Sequence, residues 1–215
     1  MRNIYNCNFP NLGFVGTTLS AEEMQPILDE VAEIQADFSK AKSMQTQLIG
    51  QLKHEYAIVK NRAYLEKTAQ LLIDGFAQSF NYKTKPIEEY KLDEPWVNFQ
   101  RKHEFNPTHS HSGSFSFVLW VKIPYTMEEE EQATSYVLKD RNCAGSFVFQ
   151  YIDTLGCITP WAIPADKTYE GKMILFPSAL NHSVNPFYSS DEFRISISGN
   201  LSPKGGPGVE RVGFI

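Results

Sequence analysis

The chain has 215 residues, with 20 Lys and Arg against 25 Asp and Glu, and a formal charge of −5. A length of this order predicts one large domain that buries roughly 70% of its unfolded surface and needs no disulfide or structural metal to fold. The 13 Gly and 12 Pro are near average usage and exclude collagen-like and low-complexity classes. The acidic balance argues against a nucleic-acid binder, which presents a basic face.

Cys7, Cys143 and Cys157 are odd in number and show no CxxC spacing, so neither a disulfide framework nor a zinc finger is expected. The first residues, MRNIYNCNFPNLGF, lack the continuous apolar stretch of a signal peptide. The longest apolar run covers residues 117–121, far short of the roughly 20 a membrane span requires. These features predict a cytoplasmic protein with no membrane partner.

In chain order, the first half reads as helical. Ser20 and Glu23 form a capping box, and Met24, Ile27, Leu28, Val31, Ile34 and Phe38 follow at helical spacing. Pro26 removes one hydrogen bond and predicts a start later than Ser20. A second helix is predicted over 63–79, with Leu65, Ala69, Leu72 and Phe76 as its inner stripe. After Pro95 the periodicity changes. Residues 96–101, 115–123, 146–152, 172–176 and 193–201 are short, rich in β-branched and aromatic residues, and bounded by Gly, Pro, Asn or Ser. No helical pattern separates them. Helices first and strands second predict an α+β chain whose C-terminal part is an antiparallel sandwich, jelly roll or barrel. The stretch 125–145 reads as a long insertion, and its run Glu128, Glu129, Glu130 and Glu131 as a solvated loop.

Three of the five histidines carry the functional argument. His109 and His111 are two apart, and in an extended segment such residues face the same way. Two imidazoles can therefore meet one metal ion. His182 follows the apolar strand MILF and a Pro-Ser turn, and a distant strand can bring it to the same ion. Three protein ligands on one side leave positions open for substrate and oxygen. In FRISISGN, Phe193, Ile195 and Ile197 alternate with Arg194, Ser196 and Ser198, so Arg194 and Ser196 share a face opposite the apolar one. An inward Arg needs an anionic partner. A dicarboxylate cosubstrate would supply it through a bidentate contact, with the serine hydroxyl alongside. The bland alternative pairs Arg194 with Asp191 or Glu192 at a surface edge.

WVNFQRKHEFNPTHSHSGSFSFVLWVKIP, with GKMILFPSALNHSVNP and RISISGN, resembles the Fe(II)/2-oxoglutarate-dependent oxygenases. The likeness is nearest to their prolyl-hydroxylase-like branch with phage and marine bacterial members, and it covers about half the chain. The resemblance implies a double-stranded β-helix (jelly roll) with the N-terminal helices packed on the outer sheet, forming a single oxygenase domain. It implies Fe(II), 2-oxoglutarate and O2 as cofactor, cosubstrate and oxidant. It also implies hydroxylation of an unactivated C–H bond, with peptidyl proline the first substrate to try. Carried over, His109 is the first metal ligand, His182 the distal one, Arg194 the anchor for the far carboxylate, and Ser196 its companion.

His111 departs from the family's usual Asp or Glu, and ligation through it changes the site's charge from about +1 to +2 with Fe(II). Tyr125 and Lys122 fall where relatives place a second contact to the cosubstrate. Asn98 and Gln100 read as metal-mouth residues or ordinary strand polarity, Asn200 as a partner near Arg194 or a strand end, and Trp161 as a cleft wall or plain packing. His54 and His103 read as structural. The rival reading is a cupin-like metal protein that uses no keto acid. It lacks an acidic ligand after HxH and gives Arg194 and Ser196 no role.

Overall fold

The computed structural model describes residues 11–138 and 142–205. Cys7 and the start of the N-terminal segment lie outside them. The elements are β1 (Val15–Thr18), α1 (Ala21–Ala36), β2 (Glu55–Ala57), α2 (Arg62–Phe80), β3 (Tyr90–Leu92), β4 (Trp96–Gln100), β5 (Asn106–His109) and β6 (Phe115–Lys122). They continue with α3 (Met127–Ala133), β7 (Phe147–Ile152), β8 (Ile158–Ile163), β9 (Lys172–Pro177), β10 (Asn181–Val184) and β11 (Arg194–Pro203). A seven-stranded sheet runs β1-β9-β6-β11-β4-β2, with β3 also paired to β11, and a four-stranded sheet runs β5-β10-β7-β8. Every strand pair is antiparallel. The two sheets face each other as a jelly roll.

Strand alternation separates two apolar layers. Val97 and Phe99 of β4, Phe117 and Leu119 of β6, Met173 and Leu175 of β9, and Ile195 and Ile197 of β11 leave the large sheet on its outer side. There they pack with Ile27, Val31, Leu65, Ala69, Ile73 and Phe76 from α1 and α2. The opposite side sends Val118, Trp120, Ile174 and Phe176 inward against Phe147 and Phe149 of the small sheet. β6 is buried on both faces, which is why its sequence FSFVLWVK reads as an almost continuous apolar run. The helices therefore back the large sheet, as the resemblance implied.

Several expectations change. The helix α1 begins at Ala21, because Ser20 and Glu23 complete both bonds of the capping box. Pro26 sits inside it, where its missing N–H costs one bond near an already capped start. Leu28 stands 38% exposed and Phe38 lies past the helix, so the buried stripe is Met24, Ile27 and Val31. The first half also supplies β1, β2 and β3, whose short runs of three or four residues carry little periodicity. A helix does interrupt the strands: Thr126 and Glu129 cap α3 as a second capping box. Glu130 is fully buried rather than solvated, its carboxylate accepting from Tyr188 N, Ser189 N and the Ser189 hydroxyl.

Candidate metal centre

His109 ends β5 and His182 lies on β10, and the two are direct cross-strand partners. His111 stands two residues beyond the strand, its backbone N–H donating to Ser178 O at 2.9 Å. The three rings converge, with centroids 4.3 Å apart for His109 and His182, 4.8 Å for His109 and His111, and 5.1 Å for His111 and His182. One ligand nitrogen from each lies within 4.8 Å of the others, a set that could hold a metal ion.

Hydrogen bonds select the ligating atom. His109 Nδ1 lies 2.7 Å from Pro107 O and His182 Nδ1 lies 2.9 Å from Leu180 O. A carbonyl can only accept, so each Nδ1 carries the proton and each Nε2 keeps its lone pair for a metal. Burial, with the neighbouring imidazoles, lowers His182 to about 3 and His111 to about 4, and burial also lowers His109. All three are neutral near pH 7, the protonation state in which imidazole ligates. Phe147 stacks on His182 at 5.4 Å, and Trp96 meets His111 at 5.9 Å, fixing the rings against apolar walls. The donor set thus fits a divalent ion that accepts nitrogen.

Arg194 begins β11 and is only 4% exposed. Its Nε and Nη2 donate to Gln100 Oε1 at 3.1 and 2.6 Å, and Nη2 also reaches Asn185 O at 3.0 Å. Its Nη1 donates to the Tyr125 hydroxyl at 2.6 Å and to Gly145 O at 2.5 Å. Every partner is a neutral oxygen. The surface alternative does not hold: Asp191 pairs with Lys102 at 2.6 Å, and Glu192 pairs with Lys122. Among the described residues Arg194 is a buried cation with no acidic partner, a costly arrangement. Gly145 adopts φ of 69°, and a Cβ there would meet the Tyr125 ring at 2.9 Å, so this carbonyl can approach only as glycine.

One cavity between the sheets joins the two groups. It is lined by the three histidines, Arg194, Ser196 and Ser198 from β11, and Trp96, Asn98 and Gln100 from β4. Asn98 and Gln100 are thus cavity residues, and Tyr125 is at Arg194. Lys122 is turned to the surface, Asn200 accepts from Ser116 at 2.8 Å, and Trp161 lines a separate apolar groove with Phe14, Phe80 and Phe149. His54 stacks on Phe38 and His103 meets Tyr188, both away from the cavity. Cys143 and Cys157 are free and exposed. Sequence reasoning missed the carbonyls of Gly145 and Asn185, which no residue type announces. It also missed Glu130, although Thr126 and Glu129 spelled a capping box three residues apart.

The jelly roll thus places three neutral histidines, a set that could hold a metal ion, in one interior cavity with a buried Arg that has no acidic partner among the described residues. The comparisons agree. The family model described as a 2OG-Fe(II) oxygenase matches residues 94–200, the segment holding the three histidines and Arg194. A prolyl-4-hydroxylase from Pseudomonas putida is similar in structure, at 13% identity and a TM-score of 0.55, covering 90% of this chain and 94% of that one. HygX from Streptomyces hygroscopicus, solved with nickel, 2-oxoglutarate and hygromycin B, is 11% identical with a TM-score of 0.57, covering 90% and 84%. The 2-oxoglutarate-dependent epimerase SnoN of nogalamycin biosynthesis is 15% identical with a TM-score of 0.52, covering 89% and 78%. No curated protein matches the chain in sequence. The chain belongs to the 2OG-Fe(II) oxygenases, whose members use Fe(II), 2-oxoglutarate and O2. Among the described residues, no helix is long and apolar enough to cross a membrane.

Proposed function

We propose that the chain is a single-domain 2-oxoglutarate-dependent hydroxylase of the prolyl-hydroxylase-like branch, acting on an unactivated C–H bond. His109, His111 and His182 would hold Fe(II), His109 and His182 through Nε2, and Arg194 would hold the far carboxylate of 2-oxoglutarate with Ser196 and Tyr125 beside it. The observation that carries this reading is the shared cavity: converging neutral imidazoles at one place, a cation without an anion at another. When bound, Fe(II) supplies oxygen activation at the expense of the keto acid.

The chain's residues do the rest. The Nδ1–H bonds to Pro107 O and Leu180 O keep His109 and His182 aimed. Gln100, Tyr125 and the carbonyls of Gly145 and Asn185 hold the guanidinium in place, and an entering carboxylate exchanges with part of this neutral set. Phe147, Trp120 and Val118 keep water from the histidine end. The absence of a carboxylate ligand leaves the metal with its full +2 charge, which favours an anionic cosubstrate. A peptide or protein proline is the first substrate to try, a choice supported by the fold likeness to the Pseudomonas putida enzyme.

Anaerobic addition of Fe(II) and then 2-oxoglutarate tests the site. A weak visible metal-to-ligand charge-transfer band is expected, and His182→Ala is expected to abolish it. Stoichiometric metal without the band would overturn the keto-acid reading in favour of a cupin-like one.

A further inference from the structure

At the wall of the cavity, where Asn98 and Asn106 line it and Glu55 stands behind them, there is an imbalance that the oxygenase chemistry leaves unexplained. Glu55 on β2 and Asn98 on β4 are partners in the ladder, so both side chains leave the sheet on the same side, and Asn98 lines the cavity. They are 1% and 5% exposed. Among the described residues nothing donates a hydrogen bond to Glu55 Oε2, to Asn98 Oδ1 or to Asn106 Oδ1, which is buried on β5 at the cavity wall. Asn106 Oδ1 and Glu55 Oε1 stand 2.6 and 2.8 Å from the point where a Gly50 Cβ would lie, so these oxygens crowd one spot.

The topology explains the convergence. β2 is an edge of the large sheet and β5 an edge of the small one, and the bridge between Gln51 and Phe105 ties the segment before β2 to the approach of β5. All three orphan atoms are acceptors. Burying each without a donor costs about 1–3 kcal/mol, a cost that a ligand rich in N–H donors would offset. Among the described residues no Lys or Arg pairs with Glu55. Burial, and then the like charge of neighbouring Glu104, pushes Glu55 up to about 7. A cation entering here meets Glu55 with the like charge of Glu104 near it, while Arg194 is engaged by Gln100, Tyr125 and two backbone carbonyls.

We propose that Glu55, Asn98 and Asn106 form the recognition subsite for the organic substrate, and that this subsite takes an ammonium or guanidinium group. The inference rests on the oxygenase reading only in treating the cavity as the substrate's. The competing account is structural: a protonated Glu55 donates to one of the asparagine oxygens and holds β2 against β5. Glu55→Gln separates the two, because a carboxamide keeps an N–H donor but removes the negative charge.

The full chain is titrated with n-butylammonium and n-butylguanidinium, and separately with uncharged 1-pentanol, following thermal shift and the fluorescence of Trp96 and Trp120 in the cavity wall. A saturable response to the cations alone is expected, weakened at least 10-fold in Glu55→Gln and less in Asn106→Ala. Circular dichroism confirms that both variants fold. An equal response to the alcohol, an unchanged response in Glu55→Gln, or the same response to Ca2+ alone would overturn the proposal. The Fe(II)·2-oxoglutarate band is recorded on the same preparations. A band without cation selectivity sinks the subsite and spares the oxygenase reading, and selectivity without a band does the reverse.

Discussion

The large sheet has two faces made by the same strands. On β4, Val97 and Phe99 point to the helices while Trp96, Asn98 and Gln100 point to the cavity; on β11, Ile195 and Ile197 oppose Arg194, Ser196 and Ser198. The outer face is uniformly apolar and sealed by α1 and α2. The inner face buries a guanidinium and two carboxamides and half-buries two hydroxyls. Burial alone would have favoured hydrophobic residues on both sides, since polar groups gain nothing by leaving water. The inner polar set is therefore the costly half of the sheet, and its cost is recovered only when ligands complete it.

Substitutions on the two faces should part company. Phe99→Ala, fully buried on the helix side, is expected to lower unfolding stability by about 3–5 kcal/mol while leaving the charge-transfer band at saturating ligand unchanged. Denaturant melts and the anaerobic spectrum check both halves of that statement. Arg194→Lys on the inner face is expected to weaken 2-oxoglutarate binding about 10- to 100-fold, roughly 1.4–2.8 kcal/mol, because Lys cannot present the guanidinium fork. Metal binding should survive it, as read by titration of Fe(II). A proportional loss of metal would mean that the two groups act as one unit.

A third contrast is the pH dependence of the metal-free chain. His111 and His182 are held at about 4 and about 3, below their ordinary 6.5, so the folded chain refuses protons that the unfolded chain accepts. Stability contributed by the neutral form is full above 6.5 and is lost as pH falls through that value toward 4 and 3. Up to about 4 kcal/mol should disappear between pH 7 and pH 5, and His182→Ala should remove about half of that loss. Melts across that range decide it.

Much of the inner face was legible in the sequence. The alternation in FRISISGN puts Arg194 and Ser196 on the face away from the isoleucines, and the two-residue spacing of His109 and His111 puts their rings on one side. The helix stripes of α1 and α2 were legible for the same reason, since periodicity records which side meets the core. Glu130 was misread because composition describes a run of four glutamates, not the one among them that turns inward to hold Tyr188 and Ser189. The strands β1, β2, β3, β5 and β10 were too short to show a period, and Glu55 on β2 went unnoticed with them.

The sequence by itself determined which chemistry could occur: three imidazoles, one guanidinium, and strands whose alternation turns these side chains away from the apolar face. That follows because strand periodicity and side-chain chemistry are local properties. Only the tertiary structure decided that Gln100, Tyr125 and the carbonyls of Gly145 and Asn185 hold Arg194, and that Glu55, Asn98 and Asn106 crowd one corner without donors. Those partners come from separate strands and loops, and backbone carbonyls have no residue type to read. Their meeting is fixed by sheet order and register, which no short stretch of sequence contains.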